Sequence, residues 1–179
     1  MEQIVRDARI ATLYEGTTGI QALDLLGRKV LLMTQGKAVR DFTGPMARLA
    51  LELLKQEPAM RVRALVLLKL AAQWNYLTLR IAFTARKQRE MVGTASYDYL
   101  MYSGYAALAY AWALQERVAR QKLRGSGSGS ESADFYRAKV ATSDFYFDRL
   151  LPRAKGHAAS MLKPAKSTMQ LADAHFAFD

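Results

Sequence analysis

Cysteine is absent from this sequence of 179 residues. Without thiols, the chain cannot form disulfides, zinc–thiolate sites or a cysteine nucleophile. Histidine is nearly as scarce, because only His157 and His175 are present. They are too few and too far apart to indicate a metal site, so we predict no metal and expect both rings on the surface.

Long uncharged apolar runs are also missing. The longest apolar-rich stretch, Met91 to Leu114, contains Asp98 and several tyrosines. A membrane span needs about 18 or more apolar residues without charge, so this stretch predicts a buried helix and no membrane span. Asp98 is either a buried, hydrogen-bonded acid or a residue that faces solvent. The first residues lack the basic-then-apolar order of a secretion signal, and the composition fits a soluble, cytoplasmic protein.

Acidic residues are few, and 26 Lys and Arg against 16 Asp and Glu give a net charge of +10. Such a charge indicates either a polyanionic partner or simply a basic surface. The cations are spread along the chain, and the one cluster, Arg117 to Arg124, ends a predicted helix, where cations suit the helix dipole. We therefore favour the structural interpretation and predict no nucleic-acid partner. The aromatic-rich segments from residue 74 to 112 could stack bases, but their helical spacing favours a core.

No segment shows the alternation of a strand, and proline and glycine divide the chain into helices, so the predicted fold is all-α. Two helices, at about residues 2–12 and 20–33, flank a break at Gly16 to Gly19. Thr18 and Gln21 form a capping-box pattern that predicts the start of the second helix. We assign residues 1–36 to this unit, whose two helices cannot bury their own apolar faces. We therefore expect further chain before Met1.

Residues 37–179 predict an antiparallel bundle of four long helices, with a flexible Gly/Ser linker at 125–130. Pro152 should kink or end the last long helix. The tail from Pro164 should form a short helix or stay loose. The predicted core stripes are Phe42, Met46, Leu49 and Leu53; Met60, Ala64, Leu67, Ala71, Trp74, Thr78, Ile81 and Ala85; Tyr97, Met101, Gly104, Leu108, Ala111 and Gln115; and Phe135, Ala138, Thr142, Phe145 and Arg149.

The segment from Arg9 to Gln21 reads Arg-Ile-Ala-Thr-Leu-Tyr-Glu-Gly-Thr-Thr-Gly-Ile-Gln. It resembles a signature near the C-terminus of the acyl-CoA dehydrogenase family, in which Tyr-Glu-Gly-Thr is followed by two variable positions and Ile-Gln. The flanks at residues 6–9 and 22–29 are similar to the branch with an additional C-terminal helical domain. The bundle from Val39 onward looks like that domain, and residues 135–139 and 150–154 are similar to its last long helix.

The resemblance implies a role for each residue of the motif. Glu15 would remove the α-proton of an acyl-CoA thioester while a hydride leaves the β-carbon for FAD. Gly16 would let the thioester approach the backbone, and Tyr14 would line the acyl pocket or serve as a core aromatic. Thr17 would contact FAD. Gly19 stands where many members have a glutamine that reaches the cofactor, so that contact would be lost or made by the backbone.

An isolated Glu-Gly-Thr would more simply be a carboxylate that stabilises the next helix start, and the matching flanks favour the catalytic role. The positive end of that helix stabilises the carboxylate and so opposes its use as a base. Exclusion of water by substrate and flavin must outweigh this effect. Gly16 also leaves a backbone donor that can polarise the thioester carbonyl.

The family builds its site from an N-terminal helical domain, a β-domain and a C-terminal helical domain. The resemblance further implies a place in fatty-acid β-oxidation, electron-transfer flavoprotein as acceptor and a homo-oligomer. Only the last two helices of that catalytic core and the extra bundle match this sequence. We therefore predict that the chain alone neither holds FAD tightly nor oxidises acyl-CoA. The alternative is a non-catalytic helical module for oligomerisation or interaction.

Overall fold

The computed structural model describes residues 2–10, 17–125 and 131–176, and all of their regular structure is helical. The prediction of an all-α fold is confirmed. In these three ranges, no helix is long and apolar enough to cross a membrane. The Gly/Ser linker at 126–130 and the Tyr14–Gly16 part of the motif lie outside the described residues.

The helices follow one another with short connections. Their bounds are α1 Glu2–Ile10, α2 Thr18–Leu23, which continues as a π-helical segment Asp24–Met33, α3 Lys37–Gln56, α4 Arg61–Ala85, α5 Glu90–Arg124, α6 Ala133–Phe145, which continues as a π-helical segment Tyr146–Leu150, α7 Ala154–Ser160 and α8 Lys166–Met169. Short 3₁₀ turns lie at Pro58–Met60, Leu151–Arg153 and Asp173–Phe176.

The bundle is built around α5, the longest helix. α3 packs on α4, α4 packs on α5, and α6 returns along α5, while α2 and α7 also lie against α5. The connections between α3, α4 and α5 are only a few residues long, which makes neighbouring helices antiparallel. Pro152 lies in the 3₁₀ turn between α6 and α7, so the predicted interruption there is confirmed.

The core stripes predicted for α3 and α4 are confirmed with small exceptions at their ends. Met46, Leu49 and Leu53 are buried in α3, and the α4 stripe is buried from Met60 to Ile81. Phe42 lies at the edge of the core, where its ring contacts those of Trp74 and Tyr110 with centroids 5.5 Å and 5.8 Å away. Ala85 is half-buried.

The core stripe predicted for α5 is wrong. Tyr97, Gly104, Leu108 and Gln115 are exposed, while Met101 and Ala111 are half-buried. The residues that α5 buries include Met91, Ala95, Tyr99, Tyr102, Ala106, Ala109 and Ala113. Alanines on this face, rather than the predicted Gly104, are the small residues where α5 meets its neighbours. No heavy atom lies within 4 Å of where a Cβ on Gly104 would be.

The stripe predicted for α6 is also wrong, because Phe135, Ala138, Thr142, Phe145 and Arg149 are all exposed. The buried residues are Ser143, Tyr146, Phe147 and Leu151. A polar contact sets this face, since the Ser143 hydroxyl donates to Glu116 Oε2 at 2.7 Å inside the bundle. The π-helical turns after Phe145 then shift the register of the helix.

Glu116 holds three helices together at one end of the bundle. Its side chain is 1 % exposed and accepts from Arg63 at 3.3 Å and from Arg120 at 2.8 Å, besides Ser143. Arg63 also pairs with Asp144 and lies over the Phe147 ring, 4.4 Å from its centroid. Since a buried charge is tolerated only when it is paired and hydrogen-bonded, this network joins α4, α5 and α6.

Arginines of the Arg117–Arg124 cluster form ion pairs with carboxylates of the same chain. Arg117 contacts Glu52 at 2.7 Å, and Arg124 contacts Glu57 at 2.5 Å, which fastens the end of α5 to that of α3. The hydrogen bond from Arg124 lowers the pKa of the Glu57 carboxyl. These pairs support the structural interpretation of the cluster.

Buried tyrosines link α4 and α5. Trp74 Nε1 donates to the Tyr99 hydroxyl at 3.0 Å, and Thr78 Oγ1 lies 2.7 Å from the same oxygen. The Tyr102 hydroxyl donates to the backbone oxygen of Leu70 at 3.3 Å. Burial raises the pKa of Tyr99 and of Tyr102 above the ordinary tyrosine range. For these residues the aromatic-core interpretation is confirmed.

His157 is not a surface residue, contrary to the prediction. Its Nδ1 lies 2.7 Å from Asp98 Oδ1, with both side chains about four-fifths covered. The imidazole stacks on Tyr105 with centroids 5.8 Å apart, and Tyr97 meets its edge. Of the two alternatives for Asp98, a hydrogen-bonded acid or a residue that faces solvent, the first is therefore correct. His175, by contrast, is exposed as predicted.

Candidate functional site

Thr17 and Gly19 are the two predicted site residues that lie within the described part of the chain. Tyr14, Glu15 and Gly16 lie outside it. The geometry of the site is therefore that of the start of α2, which follows the motif directly.

Thr17 is the residue that precedes α2. Its backbone is extended, with φ −50° and ψ 128°, and its carbonyl accepts from the Gln21 N–H at 3.1 Å. The helix begins at Thr18, about two residues before the predicted bound at residue 20, and its N-cap is Thr17 rather than the Thr18 of the capping-box pattern. The Thr17 side chain is exposed and makes no capping hydrogen bond, so capping does not account for a threonine here.

Gly19 lies in the first turn of α2 and is exposed. No heavy atom lies within 4 Å of where its Cβ would be. The amide groups of a first helical turn have no partner within the helix, and they attract phosphate and other anions. An exposed first turn with this open space can therefore accept a bulky anionic group against its backbone.

The position of this helix start is fixed by α5. Ala22, Leu26 and Val30 form the buried side of α2 and its π-helical continuation. A Cβ on Gly27 would lie only 3.4 Å from Val92 Cγ1 on α5, which shows how closely the two elements approach. The first two helices were predicted to leave their apolar faces uncovered. In α2 this face is partly covered by α5, whereas Ile4 and Val5 of α1 are exposed.

Asp24 stabilises the junction between α2 and its continuation. It pairs with Arg28 and, at 3.0 Å, with Lys29. The hydrogen bonds from Arg28 and then Lys29 hold the pKa of the Asp24 carboxyl below its usual value. The pair keeps the chain helical across the change in helix type.

A cleft of about 800 Å³ opens between the Asp24–Met33 segment, the end of α4 and the start of α5. Leu31, Leu79 and Val92 contribute apolar walls, and Arg86 and Arg89 lie at its rim. Neither Thr17 nor Gly19, the two predicted site residues that the structure describes, lines it. Sequence patterns could not reveal this cleft, because it is assembled from three segments that are apolar for ordinary packing reasons.

Among the residues described, no group of three or more histidines and carboxylates is placed to hold a metal ion. The described part of the chain therefore offers an anion-accepting helix start and an apolar cleft with a cationic rim. The motif itself adds a carboxylate, Glu15, two residues before Thr17.

Comparison with known proteins agrees with the family resemblance of the motif. Residues 37–172 match the family model described as acetyl-CoA dehydrogenase C-terminal like. The chain is 35% identical over 149 residues to the 3-methylmercaptopropionyl-CoA dehydrogenase of Ruegeria pomeroyi, covering 83% of this chain and 24% of the relative.

Two further relatives are also dehydrogenases by name. The chain is 32% identical over 159 residues to the broad-specificity linear acyl-CoA dehydrogenase FadE5 of Mycobacterium tuberculosis, covering 85% of this chain and 25% of the relative. It is 25% identical over 162 residues to the butyryl-CoA dehydrogenase of Syntrophomonas wolfei, covering 88% and 25%. This chain thus spans about a quarter of the length of the curated relatives it matches.

Proposed function

From the premise that this chain belongs to the acyl-CoA dehydrogenase family and carries its C-terminal helical domain, we propose that it contributes the catalytic base to an α,β-dehydrogenation of acyl-CoA thioesters. The observation that carries the proposal is the motif Tyr14 to Thr17, placed directly before a helix whose start is open and anchored on the bundle. The names of the three relatives agree with this reaction class.

Glu15 is the base that takes the α-proton. A general base must lie within hydrogen-bond reach of the proton it abstracts. Exclusion of water by bound substrate and flavin would raise the pKa of the carboxylate toward neutrality and so make it a better base. Gly16 leaves room for the thioester beside the backbone and a donor for its carbonyl oxygen. Tyr14 lines the acyl pocket. The buried Ala22 of α2 and Leu26 of its π-helical continuation hold the chain directly after the motif against the bundle.

FAD is the proposed cofactor, and when bound it supplies the acceptor for the hydride from the β-carbon. Thr17 and Gly19 fit such a group, because both are exposed at the start of a helix that packs on α5. The free backbone amides of a helix start attract anions. Gly19 would contribute backbone contacts only, since it lacks the glutamine side chain common in the family. By the same resemblance, electron-transfer flavoprotein is the proposed electron acceptor.

This chain alone is proposed to be inactive. It spans about a quarter of the length of its relatives, and the first turn of α2 is a single exposed edge rather than an enclosed flavin site. Purified chain mixed with FAD and acyl-CoA should therefore show neither a tightly retained flavin absorbance nor reduction of an artificial acceptor. A stable yellow complex with turnover would overturn this part of the proposal.

The role of Glu15 is tested in a chimera. This chain would replace the matching C-terminal quarter of the Ruegeria pomeroyi dehydrogenase, and turnover of 3-methylmercaptopropionyl-CoA would be measured. Glu15→Gln should lower kcat by about 10² to 10⁴-fold without loss of substrate binding, while Glu90→Gln, at the exposed start of α5, should not. Full activity of the Glu15→Gln chimera would sink the assignment.

A non-catalytic helical interaction module is the second candidate. The observation that favours it is the number of large apolar side chains exposed on the described helices, including Leu65, Leu79 and Phe83. Light scattering on the eluting chain tests whether these residues support self-association. Activity of the chimera with loss under Glu15→Gln would show that interaction is not the chain's sole role.

A further inference from the structure

The cleft beside the end of α4 has the size and the lining of a small-molecule site. Its volume is about 800 Å³, and ligand pockets usually have roughly 300–1,000 Å³. Leucine, alanine and valine side chains form its walls, and its polar side chains are Gln35, Thr78, Arg86 and Arg89. None of its described lining residues is acidic or aromatic. Aliphatic walls and a cationic edge therefore meet in one cleft.

The arginines of the cleft are free to bind a ligand. Neither Arg86 nor Arg89 has a side-chain hydrogen bond or ion pair to the described ranges of the chain, and Arg40, which lies beside Gly36 of the cleft, has none to them either. The arginines at the far end of α5, by contrast, pair with carboxylates. Glu90 follows Arg89 in the chain but lines a separate groove. The positive charge at the cleft is therefore left for an anionic ligand.

The turn that follows the Asp24–Met33 segment adds a neutral donor in a strained backbone conformation. Gln35 has φ +48° and is the one non-glycine residue with positive φ in the part of the chain that the structure describes. Glycine or asparagine is usual in this left-handed conformation at the end of a helix. A glutamine there keeps a side-chain amide at the cleft, and this amide has no hydrogen bond to the described residues. Backbone strain of this kind is concentrated at ligand and active sites.

We propose that this cleft binds a linear aliphatic carboxylate. The aliphatic chain lies along the leucine, alanine and valine walls, and its burial there drives binding. The carboxylate lies between Arg86 and Arg89, since a guanidinium donates two parallel hydrogen bonds to a carboxylate. The Gln35 amide supplies a further donor to the same head group.

The lining of the cleft selects this ligand over three others. A neutral hydrocarbon would leave both guanidiniums without a partner, and a nucleotide base would find no aromatic ring to stack on. A phosphate monoester carries more than one negative charge at neutral pH, and Glu90, next to Arg89 in the chain, disfavours the additional charge. A single negative charge on an aliphatic chain matches the lining best.

The cleft binds its ligand without converting it. Thr78 is the one hydroxyl among its described lining residues, and it is turned inward, where it donates to the Trp74 backbone oxygen at 2.8 Å and lies 2.7 Å from the Tyr99 hydroxyl. Neither Thr17 nor Gly19 lines the cleft. This binding site goes beyond the proposed dehydrogenase function and does not rest on it.

Calorimetric titration of the chain with dodecanoate, below the concentration at which it forms micelles, tests the proposal. One dodecanoate should bind per chain, and Arg86→Gln/Arg89→Gln should weaken binding by about 10- to 100-fold, because charge-assisted hydrogen bonds are lost. Arg149→Gln/Arg153→Gln is the matched control. It removes the same charge from two exposed arginines that have no partner among the described residues, and it should bind dodecanoate as the unmodified chain does.

Two further variants test the shape of the cleft and the strain beside it. Ala82→Trp should fill the cleft and abolish binding, while circular dichroism establishes that the helices are kept. Gln35→Gly should weaken dodecanoate binding by about 3- to 10-fold through loss of the amide, yet raise the midpoint of thermal unfolding, because glycine relieves the positive φ. A purely structural role for Gln35 would not give a gain in stability together with a loss of binding.

Dodecanol and dodecyl phosphate, which have the same chain length, test the head group. Dodecanol should bind at least about 10-fold more weakly than dodecanoate, and dodecyl phosphate should bind no more tightly than dodecanoate. The proposal would be overturned by a lack of saturable dodecanoate binding, by equal weakening in the two double-arginine variants, or by tighter binding of the alcohol or the phosphate. Binding that survives Ala82→Trp would place the ligand elsewhere and equally contradict this site.

Discussion

The bundle from α3 to α7 and the amino-terminal segment up to Met33 differ in what they contribute to the molecule. The bundle contains most of the buried side chains, the tyrosine contacts between α4 and α5, and the Glu116 network. The amino-terminal segment carries the motif with Glu15, yet no described side chain of α1 is buried. The proposed role of Glu15 would fit this division, because reactive groups lie most often on segments held by a rigid scaffold.

α2 and its continuation connect the two regions. Leu26 and Val30 belong to the same core cluster as the bundle residues, so the segment that follows the motif is held by α5. The proposed chemistry therefore depends on residues that lie in sequence between α1, which has no buried side chain among those described, and α2, which packs on α5. Substitutions in the two regions should separate these roles.

The largest effect should come from the buried stripe of α4. Leu67→Ala removes a fully buried side chain and should lower the free energy of unfolding by about 3 kcal/mol, since the cavity adds to the lost transfer energy. Ile4→Ala in α1, where the side chain is exposed, should leave it unchanged. Urea unfolding followed by circular dichroism measures both. Equal losses of unfolding free energy in the two variants would contradict the proposed difference in stability between the bundle and the amino-terminal segment.

A smaller effect should follow from Glu116. Glu116→Gln keeps the shape of the side chain but removes the charge that Arg63 and Arg120 face. The loss should be about 2 kcal/mol, because charged partners remain partly desolvated without compensation. The matched substitution Glu2→Gln alters the fully exposed pair with Arg6 and should have no measurable effect. Urea unfolding of both variants shows whether the buried Glu116 network contributes more to the free energy of unfolding than the exposed Glu2–Arg6 pair.

The next largest effect should come from alkaline pH, which should lower the free energy of unfolding of the bundle. Burial raises the pKa of Tyr99, Tyr102 and Tyr146 in the folded chain, so the unfolded chain loses these protons first, near pH 10. The stabilisation is complete below that pH and is lost as pH rises toward the folded-state values. Tyr102 and Tyr146 should each lower the free energy of unfolding by about 1 kcal/mol within one pH unit above the unfolded value. Tyr102→Phe should reduce this slope, and an unchanged slope would contradict the burial of its hydroxyl.

The smallest effect has the opposite sign. Gly104 lies in the middle of α5, is exposed and has no heavy atom within 4 Å of a prospective Cβ. Gly104→Ala should therefore stabilise the chain by about 0.5–1 kcal/mol through helix propensity. Gly36, with φ +78°, is the matched control, since alanine there would be strained. Thermal unfolding distinguishes the two, and a destabilised Gly104→Ala would revive the predicted close helix approach.

The sequence predicts which side of a helix is buried when that side is clearly more apolar than the other sides of the same helix. α3 met this condition. In α4 the predicted stripe from Met60 to Ile81 is the buried one, although the opposite side of the helix also carries large apolar residues. α5 could not be predicted, because tyrosine and alanine make several of its faces equally apolar. In α6 the buried face is set by Ser143, whose partner Glu116 lies 27 residues away. His157 was missed for the same reason, since its partner Asp98 is 59 residues distant.

For the candidate site, residue identity was more informative than periodicity. The motif and its flanks predicted the family, which the comparisons confirm. The pattern also predicted a helix directly after the motif, and the observed N-cap, Thr17, lies one residue before the predicted one. The roles of Tyr14, Glu15 and Gly16 stay predictions, and the cleft beside Arg86 was not foreseen, because its walls come from segments far apart in sequence.

Hydrogen exchange measured along the whole chain tests the central comparison most directly. We predict that amides of α3, α4 and α5 exchange only through global unfolding, while those of α1 exchange at rates close to an unfolded peptide. Amides of α2 and its continuation should lie between these limits. Protection of α1 equal to that of α4 would contradict the division into a stabilising bundle and an amino-terminal segment of low stability that carries the motif.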